Sequence, residues 1–205
     1  MPSATVPLPA NAALIVVDVQ LAFEDQTYWG RRSTQSADTN VALLLDTWEH
    51  TSRPIIYVQH ESSSPQSLFH QSNPGRAFKP FLMNRNTTTP ALHVHKGVNS
   101  SFHGTPDMAA WLRSHGINDV VVCGITTNHC CETTARVGGN LGFNVWFVLD
   151  ATHAFDQTTP DGEVVPADTI IKVTAANLHG EFATVVKAAD VAKAATGGGL
   201  LLKVV

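Results

Sequence analysis

Three side chains that could cooperate in hydrolysis each follow closely on an apolar stretch: the Asp18 carboxylate, the Lys96 amine and the Cys130 thiol. A thiol attacks a carbonyl carbon efficiently only as the thiolate, and a helix N-terminus together with a nearby cation lowers its pKa. We expect Cys130 to have both kinds of help, with Lys96 as the cation. A carboxylate beside a thiol takes its proton and returns it to a leaving amine, which is the role that suits Asp18.

Backbone groups at the turn before the thiol complete the chemical hypothesis. The N–H groups of Thr126 and Cys130 are expected to form an oxyanion hole for a tetrahedral intermediate. Each side chain also has an ordinary interpretation, since strand-end aspartates cap, lysines are solvated and cysteines pack in cores, as we interpret Cys123. Cys131 is rotated about 100° from Cys130 on a helix, so only one of the two faces the cleft. Taken singly, these residues do not establish a site.

The elements that must position these residues alternate between strand and helix patterns. Strands are predicted at 12–17, 55–58, 92–95, 120–124, 144–149 and 183–186, and helices around 41–48 and at 108–115, 127–139, 166–178 and 188–195. This alternation is typical of an α/β protein with a mostly parallel sheet. Ligands bind beyond the carboxyl ends of such strands, so we expect the carboxylate, amine and thiol to meet in one cleft there.

Two segments fall outside this alternation. Residues 61–89 are rich in Ser, Pro, Asn and Thr, which predicts a long loop of the kind that covers a site. The tail 197–205 begins with three glycines and continues as an apolar run. Three interpretations of this tail are open: a frayed end, an appended sequence, or a segment that docks on a neighbouring subunit.

Composition limits the classes of function. The 205 residues fit one domain, 1–205, and 43% hydrophobic against 15% charged residues suggests a surface partly covered by another subunit. A net charge of −4 without a Lys/Arg cluster argues against nucleic-acid binding. The spacing of the three cysteines does not suit a disulfide framework, and no apolar run approaches the ~20 residues that span a bilayer. We expect a cytoplasmic protein with a small-molecule partner and no membrane or nucleic-acid partner.

Three segments, in chain order, resemble the motifs of the isochorismatase-like cysteine hydrolases. DVQLAF at 18–23 resembles D-x-Q-x-x-F, KGVNSSF at 96–102 resembles K-x-x-x-S-x-F, and GITTNHC at 124–130 resembles G-[VI]-x-T-x-x-C. Segments 132–136, 141–143 and 150–152 also fit, so the resemblance extends over about 14–186.

The resemblance implies a six-stranded parallel sheet flanked by helices on both faces, a Rossmann-like three-layer sandwich. It also implies a catalytic triad of Asp18, Lys96 and Cys130, a cis peptide at Ile125–Thr126, and a homodimer or homotetramer. Nicotinamidases of the superfamily bind a metal through an Asp-x-His pair and a further His, where this chain reads QHES at 59–62. We therefore predict no metal and no other cofactor, and interpret His93 and His95 as packing or capping residues.

Members of this superfamily without the metal hydrolyse amides, ureides and carbamoyl groups. The resemblance therefore favours cleavage of a C–N bond of a small amide or ureide through a thioester on Cys130. Phe23, His60 and Phe102, together with the loop 61–89, are candidate walls of the substrate pocket. Additional candidates follow the fifth predicted strand: His153, Phe155 and Asp156.

Alternatives remain open. The fold also supports isochorismatase-type hydrolysis of a vinyl ether, which need not use a cysteine. A non-catalytic family member acting as a binding or scaffold subunit is a second alternative, although the intact triad argues against it. A flavodoxin-like nucleotide-binding domain is a third, but the first strand is followed by Asp18-Val19-Gln20 and not by a glycine-rich phosphate loop.

Overall fold

A sheet of six parallel strands forms the centre of the protein, as seen in a computed structural model that describes residues 3–6, 8–83, 85, 91–198 and 200–203. The strands of the described residues are β1 (Ser3–Val6), β2 (Ala13–Val17), β3 (Ile55–His60), β4 (Ala91–Lys96), β5 (Asp119–Ile125), β6 (Asn144–His153), β7 (Gln157–Thr158), β8 (Val164–Val165), β9 (Thr184–Val186) and β10 (Leu200–Lys203). The central sheet has the order β4-β3-β2-β5-β6-β9, and every neighbouring pair is parallel. The predicted α/β fold is confirmed.

Helices cover both faces of this sheet. They are α1 (Gln26–Trp29), α2 (Ala37–His50), α3 (Pro80–Met83), α4 (Met108–Ser114), α5 (Glu132–Asn140), α6 (Ala167–Leu178) and α7 (Ala188–Lys193). Side chains of α2 and α7 belong to the apolar cluster on one face, and side chains of α4, α5 and α6 belong to the cluster on the other. The three layers are therefore helices, sheet and helices.

Spacing of apolar residues explains why α2 packs as it does. Val41, Leu44, Leu45 and Trp48 lie on one stripe of the helix and are at most 1% exposed. The indole N–H of Trp48 donates to the carbonyl of Ala12 at 3.0 Å, so its buried polar atom is satisfied. Burying each such side chain contributes roughly 1.5–3 kcal/mol.

Strand β2 lies in the middle of the sheet, and all five of its residues are buried. A strand covered on both faces has no solvent side, which is why its sequence is an uninterrupted apolar run. Its central position places Asp18, the next residue, between the ends of the neighbouring strands β3 and β5.

Several features differ from the sequence-based expectations. Residues 200–203 of the tail form β10, which pairs antiparallel with β1 of the same chain. Residues 199, 204 and 205 of the tail, and 84 and 86–89 of the predicted loop, lie outside the described residues. Strand β6 continues past the predicted end at residue 149 to His153, with a register irregularity against β5. The predicted long loop contains α3, and the described part of the chain also includes the unpredicted helix α1 and the hairpin β7–β8. These elements are too short to carry a periodic pattern.

Close approach inside the chain explains two neighbouring glycines in α5. A Cβ on Gly138 would lie 3.1 Å from the ring of Phe102, and one on Gly139 would lie 2.7 Å from the carbonyl oxygen of Phe182. The glycines thus allow α5 to contact these segments within the chain. Among the described residues, no helix is long and apolar enough to cross a membrane.

Candidate active site

The carboxylate of Asp18 is aimed by a sharp change of backbone direction at the end of β2. Asp18 has a φ of 51°, in the left-handed region that few non-glycine residues adopt. Gly124 lies beside it at the end of β5, where a Cβ would be 2.0 Å from the carbonyl oxygen of Val17. Only glycine fits this approach, which brings the start of the turn that leads to Cys130 against the strand that precedes Asp18.

Lys96 connects the three side chains of the predicted triad. Its Nζ donates to Oδ2 of Asp18 at 2.6 Å and to Sγ of Cys130 at 3.3 Å, and the Asp18 and Lys96 side chains are fully buried. Burial opposes the charged form of Lys96, but the negative charges of Asp18 and of an ionised Cys130 outweigh burial and raise its pKa. Lys96 is therefore an ammonium ion.

The thiol lies in the first turn of the helical segment after β5. Residues Thr127–Cys131 form a π-helical turn, in which the N–H of Cys131 donates to the carbonyl of Thr126 at 3.1 Å, and α5 continues from there. The peptide bond Ile125–Thr126 is cis, as the family resemblance implied. Cys130 is 8% exposed, so its Sγ is reached only through a narrow opening.

The acidity of Cys130 differs from the sequence-based expectation. Burial of the thiol, together with the nearby Asp18 carboxylate, raises the pKa of Cys130 to about 12, although Lys96 acts in the opposite direction. A lowered pKa was expected from Lys96 and the helix N-terminus. That expectation was wrong because it neglected desolvation, which disfavours the thiolate in this enclosed position. At neutral pH the resting site contains a thiol, a carboxylate and an ammonium ion.

Gln20 fixes the next residue of the site, His60. The Gln20 side chain accepts from the backbone N–H of His60 at 2.8 Å and donates to its carbonyl at 3.0 Å, as a neighbouring strand would. It also donates to the carbonyl of Arg76 at 2.7 Å, which ties the covering loop to the sheet. This double contact gives the spacing of Asp18 and Gln20 in the first motif a physical reason within this chain.

A pocket of about 150 Å³ opens directly above the thiol. Its lining residues are Asp18, Phe23, Trp29, His60, Phe69, Asn99, Thr126, His129 and Cys130. The floor thus carries the reactive groups, and aromatic rings form much of the wall. A larger cleft of about 550 Å³ lies at the opposite end of the strands, near Asp119 and Thr184, far from these groups.

The structure supports two of the three predicted pocket walls. Phe23 and His60 line the pocket, whereas Phe102 does not. Phe102 is stacked on Phe143 with ring centroids 5.5 Å apart, in the core beside Gly138. The structure thus places the ring of Phe102 in the core under α5 and not among the residues that line the pocket.

Residues after β6 take supporting positions. Phe155 packs behind the wall, with ring centroids 5.1 Å from Trp29 and 6.3 Å from Phe23. Asp156 pairs with the exposed Arg31, away from the thiol. His153 is fully buried beside Phe155 and is not one of the residues that line the pocket.

Donor atoms of Asp18, His60 and Cys130 lie within 4.8 Å of one another, an arrangement that resembles a cation site. The position facing all three is occupied by the Lys96 ammonium, which lies 2.6–3.3 Å from each. A metal ion at the same place would have to displace Lys96, so the residues do not fit a metal here. The ring of His95 instead bonds the carboxylate of Glu61 at 3.0 Å.

Comparison with known proteins agrees with this geometry. The family model described as "Isochorismatase domain" matches residues 12–165. The chain is 41% identical over 173 residues to the isochorismatase family protein YrdC of Bacillus subtilis, covering 84% of this chain and 90% of that protein. The chain belongs to the isochorismatase family.

Two further relatives place it within that family. It is 30% identical over 156 residues to Nicotinamidase 3 of Arabidopsis thaliana, covering 71% of this chain and 75% of that protein. A crystal structure of an isochorismatase-family protein from Chromobacterium violaceum superposes with a TM-score of 0.88 at 34% identity, covering 96% and 99% of the two chains. The match over almost the whole of both chains extends the family fold to the full described sheet.

Sequence reasoning missed several residues of this isochorismatase-family site. Trp29, Phe69, Asn99 and His129 line the pocket, and Oδ1 of Asn99 accepts from Sγ of Cys130 at 3.9 Å. Asn99 and His129 are inside the quoted motifs, so their place in the motif was an available signal. Trp29 and Phe69 lie in segments without periodicity, and only the fold brings them over Cys130.

Proposed function

We propose that this isochorismatase-family chain is a cysteine-dependent hydrolase that cleaves a C–N bond of a small amide, ureide or carbamoyl compound through a thioester. The observation that carries the proposal is the buried contact of one ammonium, Lys96, with both the carboxylate of Asp18 and the thiol of Cys130. A thiol, a base and a fixed cation below a small pocket are the groups that acyl transfer to sulfur requires. The name of the relative Nicotinamidase 3 also indicates an amidase.

Asp18 has an oxygen suited to receive the thiol proton. Oδ2 is occupied by Lys96, while Oδ1 is buried and has no hydrogen-bond partner among the described residues. In the proposed reaction the Cys130 proton moves to Asp18 as Sγ attacks the carbonyl carbon. The C–N bond then breaks, and Asp18 gives the proton to the leaving amine. A water molecule, deprotonated by Asp18, hydrolyses the thioester, and the proton returns to the departing Cys130 sulfur.

Lys96 has an electrostatic role in this scheme. Its positive charge lies against the buried Asp18 carboxylate and stabilises the sulfur as it gains negative charge. The N–H groups of Thr126 and Cys130 are proposed to bind the oxyanion. Because the raised pKa of Cys130 leaves a thiol at rest, proton transfer to Asp18 accompanies attack in this scheme.

The test is ammonia release from a panel of small amides and ureides by the wild-type protein, Cys130→Ala and Cys131→Ala. Cys131 is the matched control, because it is adjacent and buried but does not line the pocket. The proposal predicts release by the wild type and Cys131→Ala, and loss of at least roughly a thousandfold in Cys130→Ala. Equal activity of the two variants would refute a cysteine nucleophile.

The same variants separate the alternatives. Turnover of a vinyl ether that persists in Cys130→Ala would favour isochorismatase-type chemistry. Absence of turnover with every substrate, together with a Cys130 that resists alkylation, would favour a binding or scaffold subunit. The expected homodimer or homotetramer stays a prediction, which light scattering after size-exclusion chromatography measures.

A further inference from the structure

His60 is the third hydrogen-bond partner of the buried ammonium. A lysine ammonium has three N–H donors and no acceptor. Lys96 uses them on Asp18 Oδ2 at 2.6 Å, on Cys130 Sγ at 3.3 Å and on His60 Nδ1 at 3.3 Å. Since the ammonium can only donate, Nδ1 of His60 must be the ring nitrogen without a proton.

The charges around His60 keep its ring neutral. Burial and then the adjacent Lys96 cation lower the pKa of His60, and the carboxylates of Asp18 and Glu61 oppose this only partly. A neutral imidazole carries a single proton. With Nδ1 engaged as an acceptor, that proton resides on Nε2.

The ring is also fixed in place. Gln20 bonds both backbone groups of His60, and the ring meets Phe69 edge-on with centroids 5.1 Å apart. His60 lines the pocket, and Nε2 has no acceptor among the described residues. The wall above Cys130 is therefore lined by a positioned ring whose Nε2–H makes no hydrogen bond to a described residue.

We propose that Lys96 holds His60 as the Nε2–H tautomer, and that this N–H donates to the bound molecule, selecting small amides that carry a hydrogen-bond acceptor near the scissile carbonyl. The selection of substrate rests on the proposed hydrolytic function, whereas the tautomer of His60 does not. The amide carbonyl itself is assigned to the N–H groups of Thr126 and Cys130, so His60 serves a second acceptor. Lys96 thereby links the reacting groups to substrate recognition.

Isosteric substrates test the selection. The three pyridinecarboxamides have the size of benzamide and differ from one another in the position of one hydrogen-bond acceptor, the ring nitrogen. For the wild type, the best isomer should exceed benzamide in kcat/KM by roughly 3- to 10-fold, the range expected for one hydrogen bond. The difference should appear mainly in KM, because the N–H is preformed and contacts ground state and transition state alike.

Two variants separate the two nitrogens of His60. In His60→Asn the amide oxygen replaces Nδ1 as the acceptor for Lys96 but nothing replaces the Nε2 donor, so the ratio of kcat/KM between the best pyridinecarboxamide and benzamide should fall to about one. In His60→Gln the amide nitrogen replaces Nε2 as the donor, but Lys96 loses its third hydrogen-bond partner. The preference for the best pyridinecarboxamide over benzamide should therefore persist, while kcat falls for both substrates. A preference that survives unchanged in His60→Asn would overturn the proposal.

The tautomer is measured without any substrate. Long-range ¹⁵N–¹H correlation spectra at neutral pH should show His60 with a protonated Nε2 and an unprotonated Nδ1. In Lys96→Met the His60 ring should instead be a mixture of both neutral tautomers. A proton on Nδ1, or a doubly protonated ring, in the wild-type protein would overturn the inference. Failure of every amide to react while the Nε2–H tautomer is observed would refute the hydrolytic function and the substrate selection, and leave the Lys96–His60 contact standing.

Discussion

The Nζ atom of Lys96 lies 2.6 Å from Oδ2 of Asp18 in a position where neither side chain is exposed to solvent. Removing each ion from water costs several kcal/mol, and mutual attraction offsets this only when hydrogen bonds satisfy the remaining donors. Cys130 and His60 provide these bonds for Lys96. Burying this ion pair therefore costs free energy of folding. A role of the pair in the proposed reaction would explain why the site contains it.

Removing one partner of this pair should destabilise the protein. Lys96→Met leaves the Asp18 carboxylate buried and uncompensated, so we expect the free energy of unfolding at pH 7 to fall by about 3–5 kcal/mol. Asp18→Asn should also destabilise, because the ammonium loses its counterion. The double variant should be clearly less destabilised than the sum of the two, as measured by denaturant unfolding. Strictly additive effects would show that the two charges do not interact energetically.

The reactivity of Cys130 toward iodoacetamide should depend on pH in a particular way. Because burial and Asp18 raise the pKa of the thiol to about 12, the rate of alkylation should keep rising with pH across the neutral and mildly alkaline range, without a plateau. Intact mass and peptide mapping over a pH series measure this. Cys123 and Cys131, both fully buried, should remain unmodified in the folded protein. A plateau below pH 7 would mean that a resting thiolate–ammonium pair exists.

The elements that carry chemistry were predictable because they are long and strongly patterned. The apolar run before Asp18 and the motif that ends in Cys130 predict a buried strand and a nucleophile turn, and the parallel sheet places Asp18, Lys96 and Cys130 at one edge. Local pattern and fold agree at these positions. This is why the proximity of the three residues was predictable from the sequence.

Side-chain direction and solvation were not predictable in the same way. Phe102 lies within a motif, yet its ring turns into the core, because Gly138 leaves space for it there. The raised pKa of Cys130 depends on how deeply the thiol is enclosed, which no local pattern encodes. Phe69 lines the pocket but lies in a loop of irregular backbone. In such a loop, neither a hydrophobic periodicity nor a secondary-structure propensity predicts which residues come into contact.

Truncation of Phe102 should affect mainly the stability of the protein, whereas truncation of Phe69 should affect mainly substrate binding. Phe102→Ala empties part of the core and should lower the free energy of unfolding by about 3–5 kcal/mol, with KM nearly unchanged. Phe69→Ala should destabilise less, since Phe69 is only half-buried, and should raise KM several-fold because the ring lines the pocket. Unfolding curves and steady-state kinetics on both variants test this. If KM rose in Phe102→Ala and not in Phe69→Ala, Phe102 and not Phe69 would contact the substrate.

His153 should make the protein sensitive to mild acid. Its ring is fully buried, and among the described residues neither ring nitrogen has a hydrogen-bond partner. Burial, reinforced by the cations of Arg32 and Lys79, lowers its pKa from 6.5 to about 3, while Asp38 opposes the shift. The folded state therefore keeps the ring neutral at pH values where the unfolded chain binds a proton.

The sign of the effect follows from this difference in proton binding. Above pH 6.5 both states leave the ring neutral and His153 contributes no pH dependence. Below that value only the unfolded chain is protonated, so this residue lowers the free energy of unfolding by about 1.4 kcal/mol per pH unit down to about pH 3. His153→Leu loses no hydrogen bond to a described residue and should weaken this decline, whereas His50→Leu, at an exposed position, should keep it. Denaturant unfolding at pH 7, 6, 5 and 4 gives the slopes. Identical slopes for wild type and His153→Leu would show that the buried ring acquires a proton without unfolding.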